Sequence, residues 1–567
     1  MKRREVNVLI GGEAGQGLVT LGELLAKCML RAGYFIVVTQ SYHSRIRGGH
    51  NTYAIRASAE KIVAPREEVD LLVALNPETV ALHKRELSAG GLIIVDKAFE
   101  ATTDNCFEVP YGDFGQEQFA NVVALGVVSY LLGLELDMVG KALDDAFGKK
   151  APDLAEKNMQ ILQDSYRWSS EQGVNFSTLA PPSELRKRLL MNGNQAIAMG
   201  ALAAGVKFCS FYPMTPATSI ALNLAAHANS MGLVVEQAED EIAAINMAIG
   251  ASFAGAPSIV PTSGGGFALM TEGVSLAGMT ETPLVIVVAQ RPGPATGLPT
   301  RTEQADLEFV LHSGHGEFPR AIFSPGTVEE CFWLTRKAFE MAAKSQGPVF
   351  ILTDQFLADS ARSIEPFDLQ DLATVEAGIE KDSSDLPYFR YNIYESGVSP
   401  RLLPGMSKHV VVAGSDEHPV DGHLTEDLTV RKFMVEKRLS KQKKIIAEVV
   451  PPQIQGDEKP DLLLVTWGST KGAIIEAAAK LRNDSTRVGT LHLSQVWPLV
   501  SQQFLGVLQD AGEVVCVESN ALGQLARLIR RETGFEVHRR VLRYDGLPIT
   551  PEYILRALDK SEALKGT

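Results

Sequence analysis

Phe208-Cys209-Ser210-Phe211, then Tyr212-Pro213-Met214-Thr215-Pro216, then Ala217-Thr218-Ser219-Ile220-Ala221-Leu222-Asn223-Leu224, is the stretch that decides the fold. A short apolar run ends in a proline turn and opens at once on a helical pattern. Thr215 suits an N-cap there and Pro216 a first helical turn. The alternation repeats downstream, with strand-like runs at 258–264, 283–290 and 348–354 separated by helix-forming segments. Strands that alternate with helices make a parallel sheet covered on both faces.

Working outward, the same style appears on either side. Residues 6–12, 34–40, 69–76 and 91–97 read as strands, with a helical pattern over 18–33. A third set begins at 461–469 and continues with strands at 488–493 and 513–519. Between them, 362–455 is irregular and rich in Pro, Ser, Asp and Gly, and reads as a connection wrapping over its neighbours. The expectation is an α/β protein of three doubly wound parallel-sheet domains, at 1–185, 186–385 and 456–567, with a connecting segment at 386–455. A chain of 567 residues exceeds what one hydrophobic core supports, which agrees with several domains.

Composition excludes several classes. The chain is 45% hydrophobic and 22% charged, as in ordinary globular proteins, and its net charge of −14 argues against a nucleic-acid partner. The basic cluster of Lys437, Arg438, Lys441, Lys443 and Lys444 reads as a solvated helix face. No apolar stretch is long enough to span a membrane, and the N-terminus lacks a signal-peptide pattern, so a cytoplasmic protein is expected. Five scattered cysteines with no C-x-x-C pair give no local metal or cluster site, so no metal ligand is expected in this chain.

Two loops near the N-terminus suit anions. Gly11-Gly12-Glu13-Ala14-Gly15-Gln16-Gly17 joins a strand to a helix, where bare backbone amides and the helix dipole favour negative charge. Its glycine order is not that of a dinucleotide fingerprint, and the second strand ends at Gln40 rather than an acid. A tight turn would need the same glycines. Beyond it, Ser41-Tyr42-His43-Ser44-Arg45-Ile46-Arg47-Gly48-Gly49-His50 places Arg45 and Arg47 on a glycine-flanked strand-end loop, a place for an acyl or phosphate-bearing anion.

The central segment carries the densest signals. Val235-Glu236-Gln237-Ala238-Glu239-Asp240-Glu241 leads into an alanine-rich helix, and dipole stabilisation alone would account for acids there. In order with Tyr212–Pro216 come Pro261-Thr262-Ser263-Gly264-Gly265-Gly266, then Ala289-Gln290-Arg291-Pro292-Gly293-Pro294, then Thr296-Gly297-Leu298-Pro299-Thr300-Arg301-Thr302-Glu303-Gln304-Ala305-Asp306-Leu307. Together these resemble the pyrimidine-binding half of the thiamine-diphosphate-dependent 2-oxoacid:ferredoxin oxidoreductases. The N-terminal glycine loops resemble that family's γ subunit, here fused ahead of the α part. Residues 461–519, with Cys516-Val517-Glu518-Ser519-Asn520, resemble its transketolase-C-terminal-like domain.

The resemblance implies roles. Glu241 matches the glutamate that hydrogen-bonds N1′ of thiamine's aminopyrimidine, with Glu239 as the alternative if the register is displaced. Tyr212, Pro213, Gly264 and Gly265 match cofactor contacts. Thr215 and Arg291 match residues on the substrate, Arg291 at its C1 carboxylate, which a guanidinium pairs well. Arg45, Arg47 and Arg320 are expected on substrate or CoA. No Gly-Asp-Gly occurs in the chain. The resemblance therefore implies a β subunit that supplies Mg²⁺, holds its share of the thiamine diphosphate and carries a [4Fe–4S] cluster. It implies an (αβ)₂ heterotetramer with ferredoxin as acceptor and CoA as co-substrate. The fusion and Gly314-His315-Gly316-Glu317-Phe318-Pro319-Arg320 resemble the 2-oxoglutarate subgroup. Pyruvate, branched-chain oxoacids and a non-redox thiamine enzyme half stay open.

Overall fold

The computed structural model describes residues 3–42, 49–99, 105–148, 152–174, 176–182, 184–370, 372–375, 379, 387–482 and 486–559. The chain forms two compact units. One comprises Met1–Met191 with Asp359–Phe367 and Thr550–Tyr553; the other takes Asn192–Ala358, Asp368–Ile549 and Ile554–Thr567. Three sheets organise them, the seven- and five-stranded ones mostly parallel and the eight-stranded one half parallel and half antiparallel, so the α/β reading holds.

The first unit is built on an eight-stranded sheet. Cys106–Val109, Leu87–Asp96, Val69–Ala74 and Glu5–Glu13 run parallel in that order. The strand His50–Ser58 then lies between Glu5–Glu13 and Phe35–Ser41, antiparallel to both. Arg56 interrupts the apolar side of this strand. The fold keeps Arg56 buried by pairing it with Glu5 at 2.8 Å and with the Ala64 carbonyl at 2.8 Å. Arg362–Ile364 and Leu189–Met191 complete that edge. Helices Leu18–Arg31 and Ala120–Leu132 fill the core with Leu21, Leu25, Met29, Leu125 and Val128. Helix Pro152–Glu171 comes close to Ala120–Leu132 at Gly126, where any Cβ would collide with Ser165.

The second unit contains a seven-stranded and a five-stranded sheet. Strands Leu284–Gln290 and Pro348–Asp354 are buried along their whole length, as central parallel strands are when helices cover both faces. Gln495–Trp497 runs antiparallel to Ala321–Phe323. One apolar core reaches from Phe267, Ile286 and Leu352 to Trp467, Leu491 and Phe504.

The basic cluster departs from its reading. Lys437, Arg438 and Lys441 are buried, not solvated. Lys437 and Lys441 donate to Glu281 at 2.8 and 3.0 Å, and Arg438 makes a two-pronged pair with Glu417 at 2.9 and 2.8 Å. Arg390 donates to the Glu281 carbonyl at 2.8 Å, and Arg401 to the Ser252 carbonyl at 2.6 Å. The irregular segment is pinned by cations that satisfy a buried acid and bind backbone carbonyls. The cations hold the Glu281 carboxyl down at about 2, against the burial that would raise it. Charge pattern alone could not show this, because the neutralising acid lies 156 residues away from Lys437.

Candidate active site

Four neighbouring strands of the seven-stranded sheet build the site. Leu284–Gln290, Ser258–Thr262, Phe208–Phe211 and Val234–Gln237 lie side by side and parallel. Their carboxyl ends therefore face the same way, and the loops that follow each strand gather along one sheet edge. Those loops hold Arg291, Ser263–Gly266, Tyr212–Pro216 and Ala238–Glu241. Motifs scattered over 80 residues of sequence become one cluster.

Glu241 is the first residue of helix Glu241–Phe253, which Asp240 caps by accepting from the Ala243 N–H at 2.7 Å. Asp240 does the capping and is exposed, as is Glu239. Glu241 alone turns inward and is 4% exposed. Its carboxylate lies against Gly266, where an added Cβ would come within 2.6 Å of Oε1 and also strike Thr262 Oγ1. No described residue hydrogen-bonds or neutralises this carboxylate. A buried carboxylate without a partner is costly, and such groups mark a place where something else binds.

The helix facing it, Gly264–Met279, starts with three glycines and has no side-chain cap. Ser263 Oγ is buried and unpartnered. The first-turn N–H groups and Ser263 thus stand beside Glu241 with room that side chains at 264 and 266 would close. Thr215 and Arg291 meet at the same edge, Arg291 Nη1 donating to the Thr215 carbonyl at 2.7 Å. Partial burial lowers the Arg291 pKa, and the rest of its fork has no partner among the described residues. Tyr212 and Pro213 are exposed, while Pro216 is buried under Asn194, whose amide donates to the Pro216 carbonyl at 2.8 Å.

Two acids given no role in the sequence reading belong here. Asp306 lies against Gly264, where a Cβ would sit 2.9 Å from its Cγ and 3.0 Å from Oδ1. Its backbone N–H donates to Gln290 Oε1 at 2.9 Å, next to Arg291. Burial raises the Asp306 carboxyl to about 6; burial and then the Asp306 charge raise Glu303 to about 7. A signal was present: two acids flank Gln304 in a segment that ends the proline-glycine loop after Arg291. Nothing local said that they would be half-buried.

Arg320 is buried. Its Nη1 donates to the Ser313 carbonyl at 2.5 Å and to the Val310 carbonyl at 3.3 Å, and its guanidinium lies 4.4 Å over Phe318. It closes the end of helix Leu307–His312. Phe318 packs on Gly278 and His315 on Ser275, near the far end of helix Gly264–Met279. At 1.5 Å per residue that is roughly 15–20 Å from the glycine turn.

The first unit has a separate cavity of about 560 Å³ at the carboxyl ends of its parallel strands. Gly15, Gly17, Asn76, Asp96, Tyr111 and Asn121 line it. Gly15 and Gly17 adopt φ of 104° and 76°, so the loop is a tight turn, and it also leaves helix Leu18–Arg31 without a side-chain cap. The Asn76 amide nitrogen and the Tyr111 hydroxyl are buried and unpartnered. Asp96 brings a carboxylate to this cavity from the end of strand Leu87–Asp96. Arg45 and Arg47 lie outside the described residues. Among the described residues no three His, Cys, Asp or Glu side chains gather as a metal site, and no helix is long and apolar enough to cross a membrane.

Comparison with known proteins agrees with this layout. Residues 199–433 match a family model described as pyruvate flavodoxin/ferredoxin oxidoreductase, thiamine diphosphate-binding, and residues 7–168 match a pyruvate ferredoxin/flavodoxin oxidoreductase model. The 2-oxoacid:ferredoxin oxidoreductase subunit alpha of a Sulfolobus species is 32% identical, over 97% of this chain and 96% of its own. The 2-oxoglutarate oxidoreductase subunit KorA of Mycobacterium tuberculosis is 29% identical, over 93% and 88%. A solved 2-oxoglutarate:ferredoxin oxidoreductase from Magnetococcus marinus, with 2-oxoglutarate, coenzyme A and succinyl-CoA bound, superposes with a TM-score of 0.93 at 30% identity, covering 99% of this chain and 100% of that one.

Proposed function

The chain belongs to the α subunits of the 2-oxoacid:ferredoxin oxidoreductases, and from that premise we propose that it oxidises 2-oxoglutarate with CoA to succinyl-CoA and CO₂ in the cytoplasm, reducing ferredoxin. It is a subunit of a thiamine-diphosphate-dependent enzyme. The observation that carries the reading is Glu241, buried, unpartnered and laid across a glycine turn. An aminopyrimidine brings the hydrogen-bond partners that this carboxylate lacks, and Gly264–Gly266 leave the space, so the residues fit the cofactor. The choice of 2-oxoglutarate rests on the Mycobacterium relative and on the ligands of the Magnetococcus structure.

Thiamine diphosphate, when bound, supplies a nucleophilic carbon and a sink for the electrons left by the departing carboxylate. Glu241 would hold the proton at N1′ of the ring. Gly264 and Gly265, with Tyr212 and Pro213, contribute contacts to the cofactor. Thr215 and the unpaired part of the Arg291 fork take the substrate's C1 carboxylate. The cavity of the first unit, with its uncapped helix and unpartnered amide and hydroxyl, takes the nucleotide part of CoA, and Arg45 and Arg47 add charge for its phosphates. A β subunit in an (αβ)₂ assembly supplies Mg²⁺ and the [4Fe–4S] cluster. The exposed Tyr212, Ile242, Met247, Leu269 and Leu298 in the site's own loops and helices support such a covering chain.

Glu241→Gln tests the central claim in the complex reconstituted with its partner. Exchange of the thiazolium C2 proton, followed by NMR, should slow at least about a hundredfold with cofactor content unchanged. Glu239→Gln should be mild. Near-normal exchange in the Glu241 variant would remove the assignment. A panel of 2-oxoacids then decides between 2-oxoglutarate, pyruvate and branched-chain substrates.

A further inference from the structure

The segment from Thr302 to Glu308 is clamped with unusual completeness. The Thr302 N–H donates to the Gly546 carbonyl at 3.1 Å. Gln304 is 1% exposed, and its backbone and side chain make four bonds: N–H to the Ser519 carbonyl at 2.6 Å, Oε1 from the Ser519 N–H at 3.1 Å, Nε2 to the Trp467 carbonyl at 3.1 Å, and its carbonyl from the Asn520 amide at 3.1 Å. Gln524 holds the next residues, donating to the Ala305 carbonyl at 2.6 Å and accepting from the Glu308 N–H at 2.9 Å. Gln290 holds the Asp306 N–H. Glu518, fully buried, ties the apparatus together by accepting from Trp467 Nε1, the Asn520 amide and the Leu525 and Ala526 N–H groups.

In that setting the Glu303 and Asp306 side chains are exceptions. Neither carboxyl has a hydrogen-bond or cationic partner among the described residues. The clamps place Asp306 against Gly264 while Glu241 lies against Gly266. Two residues of one helical turn separate those contacts, roughly 5–6 Å between Cα atoms. A segment held at five of its seven positions, with Asp306 set against the cofactor turn and Glu303 close enough to feel its charge, is built to present these two acids.

We propose that Asp306, with Glu303, is a further proton-carrying pair of this site, which takes up the proton that the CoA thiol loses in each turnover. The inference rests on the reading above. In that reaction a 2-oxoacid anion, CoA and two oxidised ferredoxins give acyl-CoA, CO₂, two reduced ferredoxins and one proton. The S–H bond breaks and an O–H bond forms on Asp306. The sulfur forms its bond to the acyl carbon, and the electron pair that joined this carbon to the cofactor stays with the cofactor. Glu303 relays the proton to water, restoring Asp306. Glu241 is committed to the aminopyrimidine and is not free for this proton. Burial brings both carboxyls near neutrality, where a base accepts a proton readily and releases it again. Gln304 is a positioning residue: it acts only by holding Asp306 in place.

Asp306→Asn keeps the shape, so the complex can be compared directly with wild type. Reduction of methyl viologen by 2-oxoglutarate is measured with and without CoA. The CoA-dependent step should slow at least about a hundredfold more than the CoA-independent one, and the titration limb near neutral pH should disappear from its rate profile. Infrared pH titration of the purified chain gives a readout free of turnover. A protonated-carboxyl stretch titrating between about pH 5 and 8 should weaken in Asp306→Asn and in Glu303→Gln. Equal slowing of both dye reactions, or an unchanged infrared titration, overturns the proposal. A wild-type complex that reduces the dye with no 2-oxoacid would instead refute the function on which it rests.

Discussion

Alanine at Gly266 would place a methyl group where the Glu241 carboxylate now lies. The added Cβ would sit 2.6 Å from Oε1 and 3.0 Å from Cγ of Glu241, and would also meet Thr262 Oγ1. Thr262 is fully buried and Glu241 nearly so, and neither can swing into solvent. Restoring ordinary contact moves the carboxylate by about 0.5–1 Å, and a displacement of that order costs roughly a hundredfold in a positioned reaction. Stability should respond far less. Overpacking costs about 1–3 kcal/mol, offset by about 0.5–1 kcal/mol for replacing glycine inside a helix. Gly250→Ala, where an added Cβ meets nothing within 4 Å, measures that second contribution by itself. The assays are calorimetric binding of thiamine diphosphate to the complex, C2-proton exchange and denaturant unfolding. Exchange should fall about a hundredfold while unfolding free energy drops by no more than about 2 kcal/mol. Cofactor affinity and exchange within twofold of wild type would mean that Glu241 and the glycine turn do not hold the aminopyrimidine.

Arg291→Ala should raise KM for every 2-oxoacid tested, because all share the C1 carboxylate, while cofactor content stays normal. A change confined to the preference among oxoacids would contradict the assignment. Glu281→Gln leaves Lys437, Lys441 and Arg390 clustered without their anion and should destabilise the chain by about 3–5 kcal/mol at pH 7 in urea unfolding. The folded Glu281 pKa of about 2 lies below its unfolded value of 4.5. Its stabilisation is therefore complete above the unfolded pKa and is lost as pH falls through the folded one, so the two proteins should converge in strong acid. In the first unit, Asn76→Ala with Tyr111→Phe should raise KM for CoA and leave KM for the oxoacid unchanged, as should alanine at both Arg45 and Arg47. Equal effects on the two substrates would leave that cavity without its nucleotide role.

Local pattern carried the strands, the helices and the motifs at their junctions, because apolar runs, proline turns and capping residues act over a few neighbours in sequence. It also carried the family, since the order of Tyr212–Pro216, Glu241, Gly264–Gly266 and Arg291 survives in a linear reading. What it could not decide is burial, which depends on residues distant in the chain. Glu239 and Glu241 share one acidic run, yet helix packing exposes the first and encloses the second. Lys437 and Lys441 look like a solvated face until Glu281 is folded against them. Arg320 is a lone cation on paper, and carbonyls at the end of a helix accept from it in space. Arg56 breaks an apolar strand on paper, and Glu5 mends it in space. Asp306 is one acid among 68 until the clamp through Gln304 and Gln290 lays it beside Gly264. In each case the charge is written in the sequence, but its solvation and its partner are set by long-range packing, and those two quantities decide what an ionisable group does.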